Sequence, residues 1–145
     1  MRVEEKDITK YDMRIIVAGG RDFTDKNRVV RAVEQIILKN SHRNILFISG
    51  AAATGPDRMI IDYCKQWALD YIEVPADWNN IVGDVVRIKY QNGRPYNALA
   101  GFARNQKMAD MATHLIAYWD RKSHGTADMI ERAKEGSLNT AVLYY

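Results

Sequence analysis

The chain has 145 residues, 47% of them hydrophobic, which suits one domain around one core. Lys and Arg number 21 against 18 Asp and Glu, and this excess of +3 is too small to point to nucleic acid. A mildly positive pocket for an anionic small molecule fits that balance equally well. A single cysteine, Cys64, excludes an internal disulfide framework. No apolar run approaches membrane-spanning length, and the polar start MRVEEKDITKYD is unlike a secretory leader. The expected location is therefore cytoplasmic, with no membrane partner.

Residues 1–12 read as a loose polar lead-in, followed by one domain over residues 13–145. Arg14–Ala18 (RIIVA) is a buried strand that stops at Gly19-Gly20. Asp25 is placed to cap a helix whose apolar face carries Val29, Val33, Ile36 and Ile37. Asn44–Ser49 (NILFIS) is a second strand, ended by Gly50. Pro56 suits the first turn of a second helix, with Ile60, Tyr63, Cys64 and Trp67 on its apolar face. Cys64 there reads as a buried structural thiol. Tyr71–Val74 is a third strand, ended by Pro75. Val85 to Tyr90 alternates, Gln91-Asn92-Gly93 offers a turn, and Arg94-Pro95-Tyr96 follows, so a β-hairpin arm is expected near residues 84–97, its apolar face docked. Asn97 is placed to cap a third helix running to about Ala112. His114–Trp119 is a fourth strand, Thr126 to Glu135 a fourth helix ended by Gly136, and Thr140–Tyr144 a fifth strand.

Strands alternating with helices imply an α/β fold, a Rossmann-like three-layer arrangement with a five-stranded parallel sheet. With strand order 3-2-1-4-5, ligands bind at the carboxyl ends of the strands, in the crevice between the first and fourth. The loops after those two strands are GGRDF and WDRKSHGT, so glycines and charges gather where topology places a site.

In Gly19-Gly20-Arg21-Asp22-Phe23, the glycines let backbone N–H groups approach a ligand. Arg21 is suited to a phosphate, and Asp22 to ribose hydroxyls or to orienting Arg21. Gly50 to Asp57 (GAAATGPD) has the glycine spacing of a phosphate loop, at Gly50 and Gly55. It lacks the following Lys-Ser/Thr, so a nucleoside-triphosphatase reading fails. Asp57 suits a sugar hydroxyl, or is simply a first-turn helix acid. Ser123, Gly125 and Thr126 open the last helix, where hydroxyls and free N–H groups make a phosphate cradle, or Thr126 merely caps. Arg104 and Lys107 lie one turn apart on the third helix. Trp78 sits at a strand end, suited to stack on a base or to cover core. Trp119 is the weaker candidate for stacking. The three histidines lie far apart, so neither a metal nor a cofactor is expected, and His124 reads as a solvated loop side chain.

Five strings in order, GGRDF (19–23), SGAAATGPD (49–57), PADW (75–78), AGFARNQKMAD (100–110) and WDRKSHGTADMI (119–130), resemble the cpYpsA-related SLOG family, also called YspA-like. The resemblance implies a Rossmann-like fold and a role in binding or processing nucleotide-derived ligands, without an established reaction. It also places Arg104 and Asn105 at the ligand. The second glycine loop is one residue longer than the family's, and the stretch holding the hairpin is longer too. More distantly, the chain is similar to the LOG-type phosphoribohydrolases, which carry an Arg four residues before a Met and then PGGxGTxxE. Arg104 stands four before Met108, and Gly125-Thr126 match the GT. Met129 occupies the position of the catalytic Glu, and Asp128, one residue early and rotated by about 100°, is the candidate substitute.

The leading expectation is a module that senses or sequesters a nucleotide or nucleotide-derived molecule. The alternative is an N-glycosidic hydrolase of nucleoside monophosphates, with Arg104 and Asp128 catalytic. A nucleic-acid-binding role is third, sustained only by Arg87, Lys89 and Arg94 of the hairpin. A homodimer or larger assembly is expected, from the resemblance to dimeric LOG-type proteins and from apolar surface on the third helix.

Overall fold

Ile15, Ile16 and Val17 are consecutive and all buried, which requires cover on both faces of their strand. The computed structural model, which describes residues 1–82 and 86–145, supplies that cover. A 3₁₀ helix (Glu5–Lys10) precedes β1 (Met13–Gly19), α1 (Lys26–Lys39), β2 (Ile45–Ser49), α2 (Pro56–Trp67) and β3 (Tyr71–Glu73). Then come β4 (Ile88–Gln91), β5 (Arg94–Asn97), α3 (Ala100–Met111), β6 (His114–Trp119), α4 (His124–Glu135) and β7 (Asn139–Tyr144). The main sheet has the order β3-β2-β1-β6-β7, parallel throughout. This is the expected Rossmann-like order, with β6 and β7 as its fourth and fifth strands.

Alternation along the strands feeds two cores. Ile15, Val17, Phe47, Ile116 and Tyr118 face α1 and α2, where Val29, Val33, Ile60 and Cys64 meet them. Ile16, Ala18, Ile48, Leu115 and Ala117 face the other way, toward Met108, Met111, Met129 and Ala133 of α3 and α4. Asp25 caps α1 as expected, accepting from the Arg28 N–H at 3.3 Å.

Several local expectations are corrected. The lead-in is docked: the Val3 N–H donates to Tyr71 O at 2.7 Å, and Val3, Ile8 and Tyr11 pack on the core. Trp67 is 60% exposed; it ends α2, the chain turns away at Ala68 (φ 52), and its ring lies 6.4 Å from that of Tyr63. Asn97 does not cap α3, which starts at Ala100 without a side-chain cap. Its buried Oδ1 instead accepts from the N–H groups of Leu99 (3.0 Å) and Arg87 (3.1 Å), tying the hairpin to the helix.

The hairpin forms about Asn92 (φ 52) and Gly93 (φ 76), the two positive φ values of a tight two-residue turn. Asp84 and Val85, placed at its start by the sequence, lie outside the described residues. Its apolar face is not docked, for Ile88 is 45% and Tyr90 72% exposed. The attachment runs through Tyr96, whose ring meets Trp78 edge-on at 6.4 Å, and through the Asn97 N–H to Trp78 O at 2.7 Å. Among the described residues, no helix is long and apolar enough to cross a membrane.

Cys64 is wholly buried, and burial pushes its thiol up to about 12. A thiol-disulfide reagent should leave it unmodified in the native protein and label it on addition of urea. Rapid labelling without denaturant would contradict its place in the core.

Candidate functional site

The carboxyl ends of β1, β2 and β6 open on one side of the sheet, and the loops there pack on one another. Thr54 Oγ1 donates to Arg21 O at 2.8 Å, tying the second glycine loop to the first. Gly55 has a φ of +78, and a Cβ there would lie 2.5 Å from Gly20 O, so only glycine permits this contact without strain. Ser49 Oγ donates to Asp57 O at 2.7 Å and accepts from the Ala51 N–H, folding the loop back on α2.

Helix α3 adds a cation. Arg104 Nη1 donates to Gly50 O, and its Nε donates to Asn105 Oδ1 at 3.1 Å. A Cβ on Gly50 would sit 2.5 Å from that Nη1, so the glycine makes room for the guanidinium. Asn105 is buried with both amide hydrogens used, donating to Gly125 O at 3.2 Å and Asp128 Oδ2 at 3.0 Å. It thereby joins Arg104 to the start of α4. Arg132 Nε donates to the same Asp128 Oδ2 at 2.8 Å.

The start of α4 is shaped by Asp120. Its Oδ1 accepts from the N–H groups of Lys122 (2.9 Å) and Ser123 (2.8 Å), and those bonds hold its carboxyl below the usual range. Ser123, rather than Thr126, is the cap, its Oγ accepting from the Thr126 N–H at 3.4 Å. The helix therefore begins at His124, earlier than the sequence suggests. The N–H groups of His124 and Gly125, in its first turn, face the end where negative charge is favoured.

These parts enclose a cavity of about 510 Å³. Gly19, Gly20, Arg21 and Asp22 line it from β1; Asp57 and Trp78 line another wall. Arg104 and Asn105 come from α3, and Ser123, Gly125 and Thr126 from α4. Gly50 and Gly55 stand behind the wall and set loop spacing. Asp128 is also outside the lining, occupied by Asn105 and Arg132. Lys107 turns away to Glu5, at 3.1 Å. Trp119 covers core: its Nε1 donates to Ser123 O at 3.0 Å, and its ring lies against Tyr144.

Sequence reasoning missed the apolar floor and one latch. Phe102, Met108 and Met129 line the cavity, and the two methionines are almost wholly buried. Tyr145 donates its hydroxyl to Asp22 Oδ1 at 2.5 Å and packs so closely on Gly20 that a Cβ there would lie 1.9 Å from it. The 3.6-residue period that marks core also marks Met108 and Met129, so nothing distinguished floor from core. No local pattern at all pairs Tyr145 with Asp22.

Burial dominates the electrostatics. It raises the Asp57 carboxyl above its ordinary value, opposed by the Ala52 N–H and by Arg104 and Arg21. It lowers Arg104, where Asp57 opposes the effect and Arg21 adds to it. A carboxyl raised by folding binds its proton more tightly in the native state, so stability falls as pH rises from the ordinary carboxylate range through the raised value. Asp57→Asn should remove that fall, because an amide does not titrate in this range, while its Oδ1 can still accept from the Ala52 N–H and keep the loop in place. Urea denaturation of both proteins from acid to neutral pH checks this. Parallel stability curves would show that Asp57 does not titrate as its burial requires.

The model of the YspA, cpYpsA-related SLOG family matches residues 13–80, a stretch that includes the GGRDF, SGAAATGPD and PADW strings. Among solved structures, the chain is similar to DNA processing protein A (DprA) from Streptococcus pneumoniae. The two are 20% identical with a TM-score of 0.64, over 94% of this chain and 51% of that one. The chain thus spans about half the length of that protein, and the likeness is one of fold. No curated protein matches the chain.

Proposed function

From a chain that matches the YspA, cpYpsA-related SLOG family over residues 13–80, we propose a module that binds a nucleotide or nucleotide-derived small molecule at the carboxyl edge of its sheet. The observation that carries this reading is the convergence of Arg104 and the first turn of α4 on one cavity, held in register by Asn105. A guanidinium and the start of a helix lining one space suit a phosphate. Arg21 adds a second, exposed cation at the mouth. Trp78 offers a ring face to a base, and Asp22 and Asp57 offer acceptors to sugar hydroxyls. The cavity volume, about 510 Å³, falls in the range common for small-molecule sites, roughly 300–1,000 Å³.

The hydrolytic reading, with Arg104 and Asp128 catalytic, draws less support. Asp128 is shared between Asn105 and Arg132, and Met129 occupies the wall. Turnover would fall to Asp22 or Asp57. A nucleic-acid reading rests on exposed Arg87, Lys89 and Arg94 of the hairpin, and on a similar structure described as a DNA processing protein. A fluorescent single-stranded oligonucleotide distinguishes it: anisotropy that rises with protein and falls for Lys89→Glu would favour that reading.

Titration calorimetry with a panel of nucleoside monophosphates tests the proposal. Arg21→Ala should lose about 1.5–3 kcal/mol of binding with an unchanged melting temperature, since Arg21 is exposed. Arg104→Ala should lose a similar amount and also melt earlier, because Gly50 O loses its donor. Unchanged affinity in both variants, or no binding across the panel, would defeat the site assignment. Chromatography of the same mixtures for released base separates binding from hydrolysis.

A further inference from the structure

The bare backbone of Gly20 suggests an opening for a ligand, but the chain uses it otherwise. The Gly20 N–H donates to Tyr118 O at 3.2 Å, and Tyr145 takes the space that a side chain would fill. A Cβ on Gly20 would overlap the Tyr145 hydroxyl oxygen and lie 2.8 Å from Asp22 Oδ1. The φ of Gly20 is not positive, so the need for glycine there is steric. What the glycine admits is the hydrogen bond from the Tyr145 hydroxyl to Asp22 Oδ1, at 2.5 Å. Asp22 lines the cavity and Tyr145 stands behind it.

Tyr145 is itself held in place. Its ring meets the buried Phe23 edge-on at 4.9 Å, and its N–H donates to Trp119 O at 3.3 Å. The residue before it is held too. Arg28 Nη1 donates to the Tyr144 carbonyl at 3.0 Å, and the Arg121 guanidinium lies 4.3 Å from the centre of the Tyr144 ring. Burial, then the hydrogen bond to Asp22, raises the Tyr145 phenol above its ordinary value, so it is a donor at neutral pH.

An exposed aspartate ordinarily samples several rotamers, and a ligand that ordered it would lose affinity in doing so. Asp22 is exposed, yet the phenol orders it beforehand. Oδ1 is engaged, and among the described residues nothing donates to Oδ2. A carboxylate accepts hydrogen bonds and repels phosphate, so this end of the cavity suits an uncharged donor. The anion belongs with Arg104 and the start of α4.

We propose that Tyr145 is a positioning residue for the sugar of the ligand. By fixing Asp22 through Oδ1 it leaves Oδ2 as a preset acceptor, and the site prefers a nucleotide with ribose hydroxyls over one without them. This rests on the nucleotide-binding reading above, and it adds a selectivity and the residue that sets it.

Titration calorimetry of the full chain tests this, with adenosine, guanosine, cytidine and uridine 5′-monophosphates and their 2′,3′-dideoxy counterparts. The wild type should favour the hydroxyl-bearing member of a bound pair by about tenfold. Tyr145→Phe keeps the ring against Phe23 and removes only the hydroxyl. It should weaken the ribonucleotide by about that factor and leave the dideoxy form unchanged, whereas general damage to the site would weaken both. Gly20→Ala should act alike, because its methyl evicts the hydroxyl. Added to Tyr145→Phe it should cost little more, since the nearest ring carbon is 3.3 Å from the new Cβ and Asp22 is free to turn. A wild type without the preference, a preference that survives Tyr145→Phe, or effects of the two substitutions that add would overturn the role of Tyr145 and leave the nucleotide site standing. Failure of every compound to bind would overturn both.

Discussion

The cavity depends on how closely three backbone segments approach one another. Gly55 meets Gly20 O where no Cβ fits, and Gly50 lies against the Arg104 guanidinium. Both contacts are steric before they are chemical. They bring the ends of β1 and β2 against α3, and a bulkier residue at either glycine would part the loops. Residues that never line the cavity thus govern the positions of those that do.

A cation so placed needs compensation, because burial disfavours its charge. Arg104 has it from three directions: the Gly50 carbonyl, the Asn105 amide oxygen and the nearby Asp57 carboxylate. Asn105 passes the constraint on, because its amide nitrogen is shared between Gly125 O and Asp128. The carboxylate expected to do chemistry therefore acts in the frame, joining α3 to α4 with Arg132 as its partner. One buried amide couples the two groups best suited to an anion, so moving either helix would disturb both.

Legibility in the sequence followed the range of the interaction. The order of strands could be read because β-branched runs such as RIIVA and NILFIS alternate with amphipathic helices, and right-handed crossovers restrict the rest. The turn at Asn92-Gly93 and the cap at Asp25 could be read because their chemistry is local. The cap of α4 was misplaced by three residues because Asp120, not Thr126, organises the loop. Asn97 looked like a cap until its oxygen proved to hold Arg87 as well. Tyr145 and Asp22 stand 123 positions apart, and no periodicity links them. Asp128 was drawn toward the site by its neighbours in sequence, although an adjacent helical position points elsewhere.

The floor beneath these fixed charges is of another kind. Met108 and Met129 are unbranched thioethers with several rotatable bonds, and such side chains change shape at little cost. Above them the guanidinium and the first turn of α4 are fixed by hydrogen bonds to Gly50, Asn105 and Gly125. On the proposed reading the two halves of the cavity would impose unequal demands: a nucleotide-like guest would present its negative charge at a set place, while its ring could vary in outline. Selectivity in a site of that kind would rest on where the anion sits, with the heterocycle accommodated rather than inspected.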